Sequence, residues 1–158
     1  MRLLVITAFL AFAVDQISKI WIVHVMDLKT RLAIDVLPPL LNFRMGWNRG
    51  INFGLFAGNE EWLRWILIAV AFGICAFVLR WVRKEGGGWR VYVSAGLLVG
   101  GAMGNVIDRI VYGAVADFLN MSCCGFTNPT AFNIADIAIF AGAIGLIFFV
   151  GKDSESQT

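Results

Sequence analysis

Residues 62–107 read WLRWILIAVAFGICAFVLRWVRKEGGGWRVYVSAGLLVGGAMGNVI. Two apolar runs, about Trp62–Val82 and Trp89–Ile107, flank a short turn. A helix needs ~20 residues to cross a ~30 Å hydrocarbon core, and each run is long enough. The connection carries Arg80, Arg83, Lys84 and Arg90 around Gly86, Gly87 and Gly88. Short basic loops stay on the cytoplasmic side, so this hairpin sets an orientation as well as a fold.

Working outward, residues 3–26 and 131–151 form two further apolar segments. The chain is 59% hydrophobic and 15% charged, whereas soluble domains are ~45–50% apolar and ~25% charged. A chain of 158 residues cannot bury that excess, so lipid must serve as solvent. The expected fold is an all-α membrane protein forming one domain, residues 1–158, with four transmembrane helices at about 3–26, 62–82, 89–107 and 131–151. Both termini are then cytoplasmic. Arg2, Leu3–Leu10 and Ala11-Phe12-Ala13 also look like a secretory signal. Apolar character resumes at Ile20-Trp21-Ile22-Val23, which favours a span.

The loops at about 27–61 and 108–130 are expected outside the cytoplasm. In the first, Pro38-Pro39 and the glycines at 46, 50, 54 and 58 break any long helix. Leu40–Met45 and Ile51–Leu55 mix apolar and polar positions, so a small strand-rich extracytoplasmic cap is expected there. Trp47, Phe53, Phe56 and Trp62 suit the headgroup level. The tail 152–158 is polar and reads as disordered. Basic residues are scattered, which gives no footprint for nucleic acid. Cys75, Cys123 and Cys124 are odd in number, two of them adjacent, and read as packing residues. With a single histidine, His24, and no Cys/His cluster, structural zinc is not expected.

Charges within membrane segments are costly and usually functional. Asp15, Asp108, Asp117 and Asp136 all fall toward the same end of the bundle. Asp15 and Lys19 share a helix face at i,i+4 and admit a purely structural role, each neutralising the other. Asp108 beside Arg109 reads as structural, with Asn105 and Asp108 able to bond loop backbone at the helix end. Asn133 suits a helix N-cap. Asp117 and Asp136 are left without an obvious partner nearby in sequence. Two carboxylates facing each other share a proton and can hydrolyse a peptide, one as base toward water and one as acid toward the carbonyl. A proton-coupled carrier and a non-catalytic scaffold are the rival readings of such acids.

Five blocks resemble the bacterial lipoprotein signal peptidases (signal peptidase II). They are Asp15-Gln16-Ile17-Ser18-Lys19, Asn48-Arg49-Gly50-Ile51-Asn52-Phe53, residues 100–109 (GGAMGNVIDR), Val115-Ala116-Asp117-Phe118 and Phe132-Asn133-Ile134-Ala135-Asp136. Asn52 stands where the family usually has Ala or Ser, and Ala116 where Val is commoner. The resemblance implies a membrane-embedded aspartyl endopeptidase that cuts prolipoproteins before a diacylglyceryl-modified cysteine. It implies Asp117 and Asp136 as the catalytic dyad, Asn105, Arg109 and Asn133 as polar residues around it, and Asp15, Lys19, Asn48, Gly50 and Asp108 as supporting residues. It further implies sensitivity to globomycin-type inhibitors and a place in the bacterial inner membrane, with membrane lipids around it. No metal or cofactor is expected, and the protein is expected to act as a monomer.

Overall fold

The computed structural model describes residues 1–50, 60–123 and 128–155. Helix α1, Arg2–Lys19, runs directly into a π-helical segment, Ile20–Val25. A short helix α2, Leu28–Arg31, leads to strands β1, Ala33–Leu37, and β2, Leu41–Asn48. Helices α3, Glu60–Glu85, and α4, Trp89–Tyr112, form the central hairpin. Strand β3, Val115–Met121, precedes the last helix, α5, Ile134–Glu155.

Arg2–Val25, Glu61–Glu85 and Trp89–Tyr112 are long and apolar enough to cross a membrane, and Ile134–Phe149 is a shorter apolar helical stretch. Their large side chains turn outward. Phe9, Phe77, Phe140 and Ile147 are each at least two-thirds exposed, as expected of surfaces solvated by lipid. Helix α4 is the most enclosed and packs against both α1 and α5. Small residues permit this close approach. A Cβ on Gly96 would sit 2.7 Å from the Leu4 carbonyl oxygen. Leu4, Val78, Val82, Ala95 and Leu98 form an apolar core toward the basic end of the bundle.

The strands form one antiparallel sheet in the order β1-β2-β3. Phe118 and Leu28 are fully buried beneath it, with Ile22 of the π-helical segment. An irregularity between Phe43 and Gly46 sets the register so that Gly46 faces Asp117 and Asn48 faces Val115.

Several expected boundaries move. The third helix does not end near Ile107: α4 continues to Tyr112, so Asp108 and Arg109 are helical. Charges can stay inside this helix because Lys19 meets Asp108. The cap is not confined to the first loop. Its third strand comes from the segment 108–130, which was expected to be loop. Strand β2 runs on to Asn48, three residues beyond Met45, and β1 was not foreseen. Helix α5 starts at Ile134, since Asn133 caps it, and not at Ala131. Ile51–Leu55, Phe56 and Cys124 lie outside the described residues, as do the side chains of the tail; its backbone, expected to be disordered from residue 152, continues α5 to Glu155.

Candidate active site

Four elements converge where α1, α4 and α5 meet the sheet. Asp136 is the third residue of α5. Asn133 precedes the helix and caps it reciprocally: the Asp136 amide donates to Asn133 Oδ1 at 2.9 Å, and the Asn133 amide donates to Asp136 Oδ2 at 3.2 Å. This is the pattern of a capping box with a carboxylate as the returning acceptor. It holds the Asp136 side chain at the positive end of the helix dipole. Asn105 Nδ2 donates to the other oxygen, Asp136 Oδ1, at 2.9 Å.

Asp117 comes from β3. Strand residues two apart share a face, so Asp117 lies beside Val115 and within diagonal reach of Asn48. Asn48 Nδ2 donates to Asp117 Oδ2 at 3.0 Å. Asn133 Nδ2 donates to Asp117 Oδ1 at 2.6 Å. One asparagine therefore joins the two residues: its Nδ2 reaches the Asp117 carboxylate, while its Oδ1 and its backbone amide hold the backbone amide and carboxylate of Asp136. Asp117 is 4% exposed. Burial, and then the charge of Asp136, push its carboxyl up to about 6, while the Asn48 and Asn133 amides pull it down.

Below the acids lies a buried ion cluster. Lys19 Nζ is 2.8 Å from Asp15 Oδ2 and 2.8 Å from Asp108 Oδ2. It also donates to Asn105 Oδ1 at 3.3 Å. One ammonium faces two carboxylates, and amide donors complete the set. The Ala135 amide donates to Asp15 Oδ1 at 2.9 Å, and the Ala116 amide to Asp108 Oδ2 at 3.1 Å. Thus Asp15 holds the first turn of α5, and Asp108 holds the strand residue next to Asp117. Gln16, which the sequence reading did not single out, links them: its Nε2 donates to Asp15 Oδ2 at 3.0 Å and Asp108 Oδ1 at 3.2 Å. Its signal was an amide in an apolar span, adjacent to an acid.

Gly104 makes this density possible, because a Cβ there would stand 2.5 Å from Asp15 Oδ2. Arg109 Nη1 donates to the Asn105 carbonyl at 3.3 Å, and the guanidinium lies within electrostatic reach of Asp136, Asp117 and Asp108. Among the described residues, its Nε is buried without a hydrogen-bond partner. Gly50, at φ +118°, donates its amide to Asn48 Oδ1 at 3.0 Å and so orients the amide that reaches Asp117. Every expected site residue thus belongs to one connected region. His24 stands apart, exposed, with Nε2 3.2 Å from the Tyr112 hydroxyl.

A cleft of about 720 Å³ opens beside Asp117, between Gly46–Gly50 and Pro129–Ala131. Gly46 lines it opposite the acid and leaves space where a longer side chain would intrude. A buried carboxylate and a half-buried one, Asp117 and Asp136, held by amide donors with an open approach at Asp117, suit proton transfer to and from a bound reactant.

The family model described as Signal peptidase (SPase) II matches residues 7–151. A lipoprotein signal peptidase of Methylobacterium sp. (strain 4-46) is 39% identical over 141 residues, covering 89% of this chain and 84% of that protein. One from Shewanella sp. (strain MR-4) is 37% identical over 153 residues, covering 94% and 88%. A bacterial membrane enzyme solved by the in meso method at 1.9 Å resolution superposes with a TM-score of 0.77 at 26% identity, covering 91% of this chain and 89% of that one. Another, at 2.3 Å, gives 0.75 at 25% identity, with 98% and 91% covered. With a family match over residues 7–151 and relatives this similar along most of their length, the chain belongs to the signal peptidase II family.

Proposed function

We propose that the protein is a membrane-embedded aspartic endopeptidase that removes the signal peptide from diacylglyceryl-modified prolipoproteins, cutting before the lipidated cysteine. The observation that carries this reading is the pair Asp117 and Asp136, delivered by different elements and joined through Asn133, with Asp117 lining an open cleft. Membership of a peptidase family supports it. One carboxylate takes a proton from water as the water oxygen attacks the scissile carbonyl. The other, protonated, donates to the carbonyl oxygen. Collapse of the tetrahedral intermediate breaks the C–N bond, and the leaving amine takes up a proton from the dyad. The Asn48, Asn105 and Asn133 amides hold the two acids for this exchange, and Arg109 tempers their negative charge.

The same reading makes α5 a fourth span and sets both termini in the cytoplasm of a bacterial inner membrane. The sheet and cleft then lie at the outer interface, where acyl chains in the bilayer hold the substrate's cysteine at the right depth. The protein works as a monomer and binds globomycin-type inhibitors.

The test uses purified protein in detergent with a diacylglyceryl-modified prolipoprotein, following release of the signal peptide. Wild type cleaves; Asp117→Asn and Asp136→Asn bind the substrate but do not turn it over. Folded wild type that fails on a substrate another enzyme cleaves would sink the proposal.

A further inference from the structure

The bundle carries a second polar feature at the end opposite the carboxylates. Ala76, Leu79, Arg80, Arg83 and Lys84 recur at helical spacing and form one stripe of α3. With Met1 they line a cleft of about 690 Å³ between the start of α1 and the end of α3. Such a volume holds a headgroup and the upper part of its chains.

The stripe has two chemistries. Its outer part is cationic. Its inner part, Ala76 and Leu79, is apolar and points along the lipid-facing length of α3, where Phe77 is 68% exposed. Among the described residues, neither Arg80 nor Arg83 has an ion-pair partner, and Lys84 meets Glu85 in an exposed pair at 3.4 Å. Arg90, the next cation along, is engaged elsewhere, stacked 5.4 Å from the rings of both Trp89 and Phe149. Unneutralised cations above a small apolar floor, beside lipid, match an anion that carries its own hydrocarbon.

We propose that this cleft binds one anionic phospholipid, its phosphodiester among Arg80, Arg83 and Lys84 and an acyl chain along Ala76 and Leu79. The proposal does not depend on the peptidase reading, since it involves none of the residues around Asp117 and Asp136. Basic pockets between membrane helices are where such headgroups settle.

The test is native mass spectrometry of the purified full chain in detergent, titrated with phosphatidylglycerol and with phosphatidylcholine of the same acyl chains. Wild type should retain phosphatidylglycerol over phosphatidylcholine by roughly tenfold or more, as expected when several cations each contribute. The triple variant Arg80→Gln, Arg83→Gln, Lys84→Gln should retain both alike. Ala76→Trp keeps the charges but fills the floor, and should also lose the retained lipid. Circular dichroism and thermal unfolding in the same detergent serve as the folding control for both variants. Equal retention of the two lipids by wild type, or a preference that survives in the triple variant, would overturn the proposal. Displacement of phosphatidylglycerol by equimolar glycerol phosphate would also overturn it, by showing a site for a free phosphate ester.

Discussion

Asn133 uses one end of its side-chain amide on the Asp117 carboxylate and the other on the Asp136 backbone amide, and its Nδ2 also lies 3.2 Å from Asn105 Oδ1. Replacing it with Ala removes a helix cap, at a cost of roughly 1 kcal/mol, and also frees Asp117 to move. We expect Asn133→Ala to lower kcat by about a hundredfold, in line with the loss of an orienting group, with a melting temperature lowered by only a few degrees. Stopped-time cleavage assays and thermal unfolding measure the two effects. Asp117 gives a prediction with a defined sign. Its pKa is raised in the folded protein, to about 6, so folding favours its neutral form. That stability is present at acid pH and is lost as pH rises through 6. Asp117→Asn has no such loss. The stability of Asp117→Asn relative to wild type should therefore grow between pH 4 and pH 8, by at most roughly 3 kcal/mol, while turnover is abolished. Unfolding at the two pH values checks the trend. Conversely, Asn48→Ala removes a donor that favours the charged form, so the alkaline limb of the pH–rate profile should move to higher pH.

At the scale of elements, helices were the legible part and strand β3 was not. Its residues Val115, Ala116, Asp117 and Phe118 are all buried, so no apolar–polar alternation marks the strand. Its partner β2 lies in a distant stretch of sequence, and pairing of that kind leaves no local trace. Asp117 itself was legible, as a carboxylate beside apolar neighbours, although the element carrying it was not. The end of α4 was misplaced for a related reason. Asp108 and Arg109 read as the exit from an apolar helix, and only the contact with Lys19 of α1 explains why the helix continues. The glycines of α3 and α4 make a matched pair for experiment. At Gly73, nothing lies within 4 Å of an added Cβ, whereas at Gly104 the Asp15 carboxylate does, at 2.5 Å. Gly73→Ala should be neutral or stabilising by up to about 1 kcal/mol. Gly104→Ala should destabilise the protein and lower activity, because Asp15 must move and it holds the first turn of α5.

Across the whole molecule, the buried cluster of Asp15, Lys19 and Asp108 joins α1, α4, α5 and β3 at one point. Removing only the cation leaves two acids buried against each other. Lys19→Ala should cost roughly 3–5 kcal/mol, the range for breaking a buried ion pair, and shift the pH optimum little. A displaced pH profile with normal thermal stability would contradict this. Family blocks made the cluster's members legible one at a time. Their mutual contacts were not, since they depend on helices that are remote in sequence. One such contact has a consequence in time. The amide of Ala135, in the first turn of α5, is held by Asp15 of α1. Asp136 follows immediately, so its position is settled only when the last helix of the bundle meets the first. On the peptidase reading proposed above, the two acids would come together late in synthesis, when the last helix docks on the first, and the chain would be inert until then.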